Sequence, residues 1–298
     1  MMEKNMKNTT VLVTGGEGFI GSHLRDKLVE DGNKVIVVDS KNDLDICDDG
    51  LFGIFEDAQP DVVFHFAAQT NVRVSNQQPA QDASVNIMGS LNVLDAARKV
   101  GVKKIVFASS AAVYGEASIF PTPEDTAPDR PSPYGIAKAT TERYLAYYSQ
   151  SLNLPYVALR FANVYGPRQH STAVIGSFSE SILSEKEISI HGNGEQTRDF
   201  VFVGDVVKAS ILAAQSSAIG VYNIGTEKET SLNELLKIIE DITQRKAKVR
   251  YEREKSGGQQ RSSLAIRKVK KELRWEPSYA LAQGLEETFE WYKQQLST

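Results

Sequence analysis

Thr9 to Thr14 is a short β-branched run that breaks into Gly15-Gly16-Glu17-Gly18-Phe19-Ile20-Gly21, and an amphipathic stretch from Phe19 to Glu30 follows at once. The order is strand, glycine turn, helix. The glycines satisfy Gly-x-x-Gly-x-x-Gly at 15, 18 and 21 and also Gly-x-Gly-x-x-Gly at 16, 18 and 21. Such a spacing alone can be a plain turn. Between a strand and a helix, it lets bare backbone and the first helical amides, those of Phe19 and Ile20, approach a pyrophosphate at the helix N-terminus.

The unit repeats along the first half. Strands are predicted over Lys34 to Val38, Asp61 to Phe66, Lys103 to Ala108 and Pro155 to Arg160, and helices over Ser84 to Val100 and Pro133 to Ser151. Alternation of this kind predicts an α/β fold: a doubly wound parallel sheet covered on both faces, with ligands at the carboxyl ends of its strands. The second half predicts a smaller mixed α/β lobe, with helices over Ala173 to Ser184, Ser231 to Thr243 and Ala265 to Leu273 and a strand over Ile188 to His191. Ser231-x-x-Glu234 reads as a capping box. Val201 to Gln215 and Val221 to Ile224 are expected to return to the main sheet. The division is therefore 1–167 for a dinucleotide-binding domain, with return segments near 198–225, and 168–298 for the smaller lobe.

Strand ends supply the candidate cofactor residues. Asp39 ends the second strand 18 residues beyond Gly21, placed to accept hydrogen bonds from an adenosine ribose, which favours NAD over NADP. Lys41 is read as a solvated lysine. Asp45 and Ile46 are placed to flank an adenine, although Asp45 equally suits a surface turn. Phe66, Ala67 and Ala68 bring backbone beside a cofactor or simply pack closely. Ser109-Ser110 closes the strand that begins at Lys103.

Tyr134-Gly-Ile-Ala-Lys138 lies 24 residues after Ser110. On a helix, positions i and i+4 share a face, so phenol and ammonium would be neighbours. The pairing also arises by chance in many helices. As chemistry it is a proton-transfer device: moving a tyrosine from about 10 to about 7 takes on the order of 4 kcal/mol of phenolate stabilisation, which a lysine cation and a positively charged cofactor could supply. The Ser110 hydroxyl could hold a substrate oxygen against the phenol.

Composition narrows the classes. Of 298 residues 41% are hydrophobic, enough for a sizeable core, yet no run approaches the roughly 20 apolar residues that span a bilayer. The start, Met1 to Asn8, lacks the apolar stretch of a signal peptide, so a cytoplasmic protein is expected. A net charge of −4 gives no general attraction to nucleic acid or anionic membrane. The lone cysteine, Cys47, reads as packing or a partly exposed thiol, and His23, His65, His170 and His191 show no metal-ligand spacing. Pro121 to Pro133 reads as a surface loop over the site.

With Thr14-Gly-Gly-Glu-Gly-Phe-Ile-Gly-Ser-His-Leu24, Phe107-Ala-Ser-Ser-Ala-Ala-Val-Tyr-Gly115 and Ser132-Pro-Tyr-Gly-Ile-Ala-Lys138 in order, the chain resembles the extended short-chain dehydrogenase/reductase family. Within it the chain is most similar to the NAD-dependent nucleotide-sugar epimerase/dehydratase group, of which UDP-glucose (UDP-galactose) 4-epimerase is the type. The likeness continues through Leu159 to Arg168, Gly192 to Val201 and Leu273 to Pro277. It implies a Rossmann-type fold, NAD as cofactor and a UDP-sugar as substrate. It implies further that Tyr134 is the base, Lys138 its modulator and a nicotinamide-ribose ligand, and Ser110 the hydroxyl partner. Asn86 matches a position lining the cofactor site, Asn163 a contact to the nucleotide-sugar phosphates, and Arg198 and Arg261 a basic clamp on the diphosphate. Arg198 and Arg261 also suit surface ion pairs. Gly257-Gly-Gln-Gln-Arg261 follows the family's Gly-Asp-Val-Arg only loosely, and Ala265-Ile266 stands where Ala-Asp is common. A homodimer is implied, with the Ser84 to Val100 and Pro133 to Ser151 helices pairing across a two-fold axis, although Leu91, Leu94, Leu145 and Tyr148 equally suit an intramolecular core.

Ala111-Ala112 separates the chemistries. Dehydratases of this family carry Asp-Glu there to eliminate water, and alanine transfers no proton. The expectation is epimerization at C4 of UDP-glucose, UDP-galactose or an N-acetyl form through a 4-keto sugar. The alternatives are a sugar-nucleotide ketoreductase, an atypical dehydratase, or an NAD-binding regulatory protein without catalysis.

Overall fold

The computed structural model describes residues 6–253 and 259–296. In chain order the strands are β1 (Thr10–Thr14), β2 (Lys34–Val38), β3 (Val62–His65), β4 (Lys104–Ser110), β5 (Tyr156–Phe161) and β6 (Asn163–Tyr165). They continue as β7 (Glu187–His191), β8 (Thr197–Arg198), β9 (Phe200–Phe202), β10 (Gly220–Ile224), β11 (Thr230–Ser231) and β12 (Lys248–Glu252). The helices are α1 (Phe19–Glu30), α2 (Leu51–Ala58), α3 (Val72–Gln77), α4 (Pro79–Ala83), α5 (Ser90–Lys99) and α6 (Pro133–Leu152). After them come α7 (Val174–Leu183), α8 (Val203–Gln215), α9 (Leu232–Thr243), α10 (Arg267–Leu273) and α11 (Leu281–Leu296).

Six strands form one parallel sheet in the order β2-β1-β3-β4-β5-β10. Its two faces follow from the two-residue period of a strand. Val11, Val13, Phe64, Val106 and Leu159 point to the side covered by α1, α8 and α10, where Leu24, Leu28, Val206 and Val269 meet them. Leu12, Val63, Ile105, Phe107 and Ala158 point to the side covered by α2, α5 and α6, against Phe55, Val93, Leu94 and Leu145. Continuous apolar strands are what burial on both faces demands.

The chain leaves β1 for β2 on one side and crosses to β3 on the other, so the carboxyl ends of β1 and β3 part and open a crevice there. The returning segment behaves in part as expected. β10 joins the sheet beside β5 and α8 packs on it, whereas β9 pairs instead with β6 in a two-stranded ladder beside the crevice. β7 with β12, and α7, α9 and α11, build the smaller lobe around Phe178, Ile188, Phe200, Leu235 and Phe289. Ser231 caps α9 through the predicted box with Glu234.

Two further segments depart from the sequence reading. The helix predicted from Ser84 opens as a wider, π-helical turn over Ser84–Gly89 before continuing as α5. The 121–132 segment adds no residue to the wall of the crevice: Thr122 pairs with Leu264, the Glu124 carbonyl accepts from Arg160 of β5, and the Glu124 carboxylate accepts from the Asn223 amide of β10.

Candidate active site

A cleft of about 810 Å³ runs along the carboxyl ends of the strands. Its wall includes Gly15, Gly18, Phe19, Ile20, Gly21, Asp39, Asp45, Ile46, Phe66, Ala67 and Ala68, and at its other end Ser110, Tyr134, Lys138, Asn163 and Arg198.

The glycine turn is shaped by contact with its neighbours. Gly15 has φ +73°, and a Cβ there would lie 2.6 Å from the Ala67 nitrogen; a Cβ at Gly21 would lie 2.0 Å from the Gly15 carbonyl oxygen. The turn thus folds onto the first turn of α1, whose N-cap, Gly18, offers no side chain to its free amides. Asp39 is buried and its carboxylate accepts from the backbone amides of Glu17 and Lys41 at 2.9 and 3.0 Å, which aims it across the turn. Lys41 is exposed, as the sequence reading expects, and its ammonium donates to the Glu17 carbonyl at 2.9 Å at the edge of the cleft. Asp45 accepts from the Cys47 amide at 2.9 Å, and Ile46 is buried between the cleft and the α2–α5 core.

At the reacting end, Ser110 ends β4 and its hydroxyl caps the following turn, accepting from Ala112 N at 3.1 Å. Tyr134 and Lys138 sit on the first turns of α6, which begins at the Ser132 cap and Pro133. Both are buried, at 9% and 2% exposed. The Ser110 hydroxyl and the Tyr134 phenol both line this end of the cleft, near enough for the hydroxyl to favour the phenolate. The Lys138 ammonium donates to the Ala108 carbonyl at 2.8 Å and lies 4.6 Å from the centroid of Phe107 and 5.8 Å from that of Tyr134. Burial pushes the Tyr134 phenol up to about 12, with the neighbouring Ser110 hydroxyl pulling it down and the Asp82 charge pushing it further up. Burial pulls Lys138 down to about 7, against the opposing charges of Asp82 and Glu142. The phenol therefore starts further from neutrality than a free tyrosine does. Bringing it from about 12 to near 7 takes roughly 7 kcal/mol, more than the sequence reading anticipates.

Ala111 and Ala112 line the cleft directly after Ser110. The carboxylates near the pair, Asp82 and Glu142, are buried behind the wall. Glu142 is spent on Arg160 at 2.7 Å and on Ser109. Among the described residues no group of His, Cys, Asp or Glu side chains has the arrangement to hold a metal, and no helix is long and apolar enough to cross a membrane.

Two expected site residues stand elsewhere. Asn86 does not line the cleft. It is 1% exposed, its amide nitrogen donates to the Gln69 carbonyl and to Asp82 at 2.9 and 3.1 Å, and its oxygen accepts from Gln69 N at 2.9 Å. It shapes the Ala67–Gln69 wall from behind. Arg261 is exposed and doubly bonded to Glu229 at 2.6 and 2.9 Å while stacked on Phe120, and the cleft wall beside it is made by Gln259 and Ser262. Gly257 and Gly258 of that motif lie outside the described residues. Arg198 differs from Arg261: it is half-buried on the cleft wall, its guanidinium donates to the Thr197 carbonyl at 2.7 Å, and burial lowers its proton affinity. A desolvated guanidinium of this kind suits an anion.

Sequence reasoning also missed a strut behind the site. Thr14 bonds His65 at 2.7 Å, His65 bonds Ser90 at 2.8 Å, and Ser90 donates to the Asn86 carbonyl at 2.7 Å, which also accepts from Thr141 on α6 at 2.9 Å. Burial pushes His65 down to about 3, so it serves as a neutral hydrogen-bonding bridge. No sequence spacing announces these partners.

The family model for the NAD dependent epimerase/dehydratase family matches residues 11–225. The chain belongs to this family. It is 40% identical over 301 residues to a putative UDP-glucose 4-epimerase of Methanocaldococcus jannaschii, covering 95% of this chain and 98% of that protein. It superposes on the Thermotoga maritima UDP-glucose 4-epimerase solved with UDP-glucose with a TM-score of 0.93 at 42% identity, covering 96% of this chain and 99% of the other. The Thermus thermophilus UDP-glucose 4-epimerase solved with NAD gives a TM-score of 0.89 at 36% identity, covering 95% and 98%. NAD is the family's cofactor, and the turn fits it: free helix-start amides where a pyrophosphate would lie, no room for a side chain at Gly15, and a buried carboxylate at the end of β2.

Proposed function

We propose that the protein is a nucleotide-sugar 4-epimerase acting on a UDP-hexose. The observation that carries this reading is the end of the cleft itself: a buried Tyr134–Lys138 pair with Ser110 beside it, followed on the wall by Ala111 and Ala112. Among the described residues there, Tyr134 is the acid–base group assigned to take a proton from a sugar hydroxyl and give it back. Ser110 holds the C4 oxygen against the phenol, and the Lys138 ammonium stabilises the phenolate. When bound, NAD supplies an acceptor for the hydrogen on C4 and returns that hydrogen. Loss of the hydroxyl proton and the C4 hydrogen leaves a flat ketone. A ketone that presents its other face before the hydrogen returns becomes the C4 epimer, and no outside reductant is consumed.

Arg198 and Asn163 are assigned to the diphosphate, at the point where the cleft continues into a pocket of about 240 Å³ between β6, β9 and the start of α9 that would take the nucleoside. Arg198→Gln is expected to raise KM for the sugar nucleotide roughly 10- to 100-fold with a smaller loss in kcat, measured by initial rates. Arg261 is assigned a role outside the diphosphate clamp as long as Glu229 holds it. The function itself is tested by incubating NAD-loaded protein with UDP-glucose, UDP-galactose and their N-acetyl forms and reading C4 stereochemistry by NMR. Interconversion of one pair supports the reading, and none of the four reacting contradicts it.

A homodimer is also part of this reading. Leu94, Leu145 and Tyr148 are intramolecular core, yet Met88, Ile136, Tyr144 and Tyr147 remain 56%, 51%, 39% and 53% exposed on the α5 and α6 side. Ile136, Tyr144 and Tyr147 share a helical face, an apolar stripe suited to an isologous contact.

A further inference from the structure

Asp82, on α4, is 1% exposed, and nothing in the sequence marks it. One carboxylate oxygen accepts from the Gln69 side chain at 2.8 Å and from Asn86 at 3.1 Å; the other is buried with no hydrogen-bond partner. A carboxylate has about four acceptor positions, and here two donors share one oxygen. An amide or a hydroxyl would serve those two donors as well and would cost less to bury. The charge itself is left without a local use.

Its surroundings give it one. α4 packs on α6, and Asp82 lies close enough to both Tyr134 and Lys138 for its charge to act on each. The other charged groups around that pair are accounted for. Glu142 on α6 is paired with Arg160 of β5, His65 of β3 is neutral, and Arg73 of α3, the helix preceding α4, is exposed. The π-helical turn between α4 and α5 contributes no charge.

We propose that Asp82 is a positioning residue for the Tyr134–Lys138 pair, its buried negative charge keeping the Lys138 ammonium in place and setting the pH window in which the pair works. Without a cation at Lys138 the phenolate loses its nearest counter-charge. Because Asp82 acts on both groups with the same sign, it raises the proton affinity of ammonium and phenol together.

The test is NMR titration of protein labelled at lysine Cε, with Lys138→Met assigning the resonance. Asp82→Asn and Asp82→Ser should lower the Lys138 midpoint by on the order of one pH unit, and Asp82→Glu should leave it near that of the wild type. A midpoint unchanged in the neutral variants would overturn the proposal, as would loss of the fold in both, which would make the carboxylate structural. A second readout rests on the epimerase reading. In NAD-loaded protein given UDP-galactose, both limbs of the kcat profile should move to lower pH in Asp82→Asn, whereas a purely structural lesion lowers the profile without moving it. If the wild type turns over no UDP-hexose, that reading fails while the lysine titration still decides Asp82.

Discussion

Tyr134→Phe is expected to lower turnover by about 10²- to 10⁴-fold, the range for losing a positioned acid–base group, while the protein stays folded and retains NAD. The ring keeps its packing on α6, and only the oxygen beside Ser110 is removed. KM should change little, because the diphosphate contacts are assigned to Arg198 and Asn163, which the substitution leaves in place. Initial rates with a UDP-hexose, together with nucleotide released on denaturation, check both halves. Loss of NAD along with activity would mean that the phenol holds the cofactor rather than performing chemistry.

Lys138→Met should separate stability from activity. In the folded chain burial pulls the ammonium down to about 7, while the unfolded chain keeps its proton to about 10.5. Between those values the unfolded state binds more protons, so stability rises with pH through the window, and the penalty for burying the cation is largest below 7. Removing Lys138 should flatten that slope by up to about 1.4 kcal/mol per pH unit and raise stability at neutral pH by roughly 1–3 kcal/mol, less than the full linkage because the Ala108 hydrogen bond is lost. Lys104, pulled down to about 8 by burial, gives a slope of the same sign that the variant keeps. Denaturant unfolding from pH 6 to 10 measures this, and turnover should fall by a factor comparable to that of Tyr134→Phe. An unchanged slope would place the proton elsewhere.

These expectations show where sequence sufficed. The β1–glycine–α1 unit, the alternating strands and the Tyr134–Lys138 spacing are local patterns, and local periodicity decides them. β6, β8, β9 and β11 are two or three residues long and owe their form to partners distant in sequence. α11 is different: Leu281, Leu285, Phe289 and Tyr292 recur at helical spacing, so its signal was present although the sequence reading placed no helix after Leu273. The site divides in the same way. Gly15, Asp39, Ser110 and Tyr134 are fixed by motif and strand end. Asn86, Arg261 and Asp82 turn on burial and on the partners each finds, Gln69 for Asn86, Glu229 for Arg261 and donors to only one oxygen for Asp82, and those partners are set by tertiary packing.

The central claim is that one hydrogen leaves C4 and returns to the same carbon while Tyr134 holds the hydroxyl proton. The most direct test gives NAD-loaded protein UDP-galactose deuterated at C4 in ordinary water, with no added reductant. The account predicts UDP-glucose carrying the deuterium at C4. Epimerized product in which C4 has taken hydrogen from solvent, or a product lacking water, would contradict it.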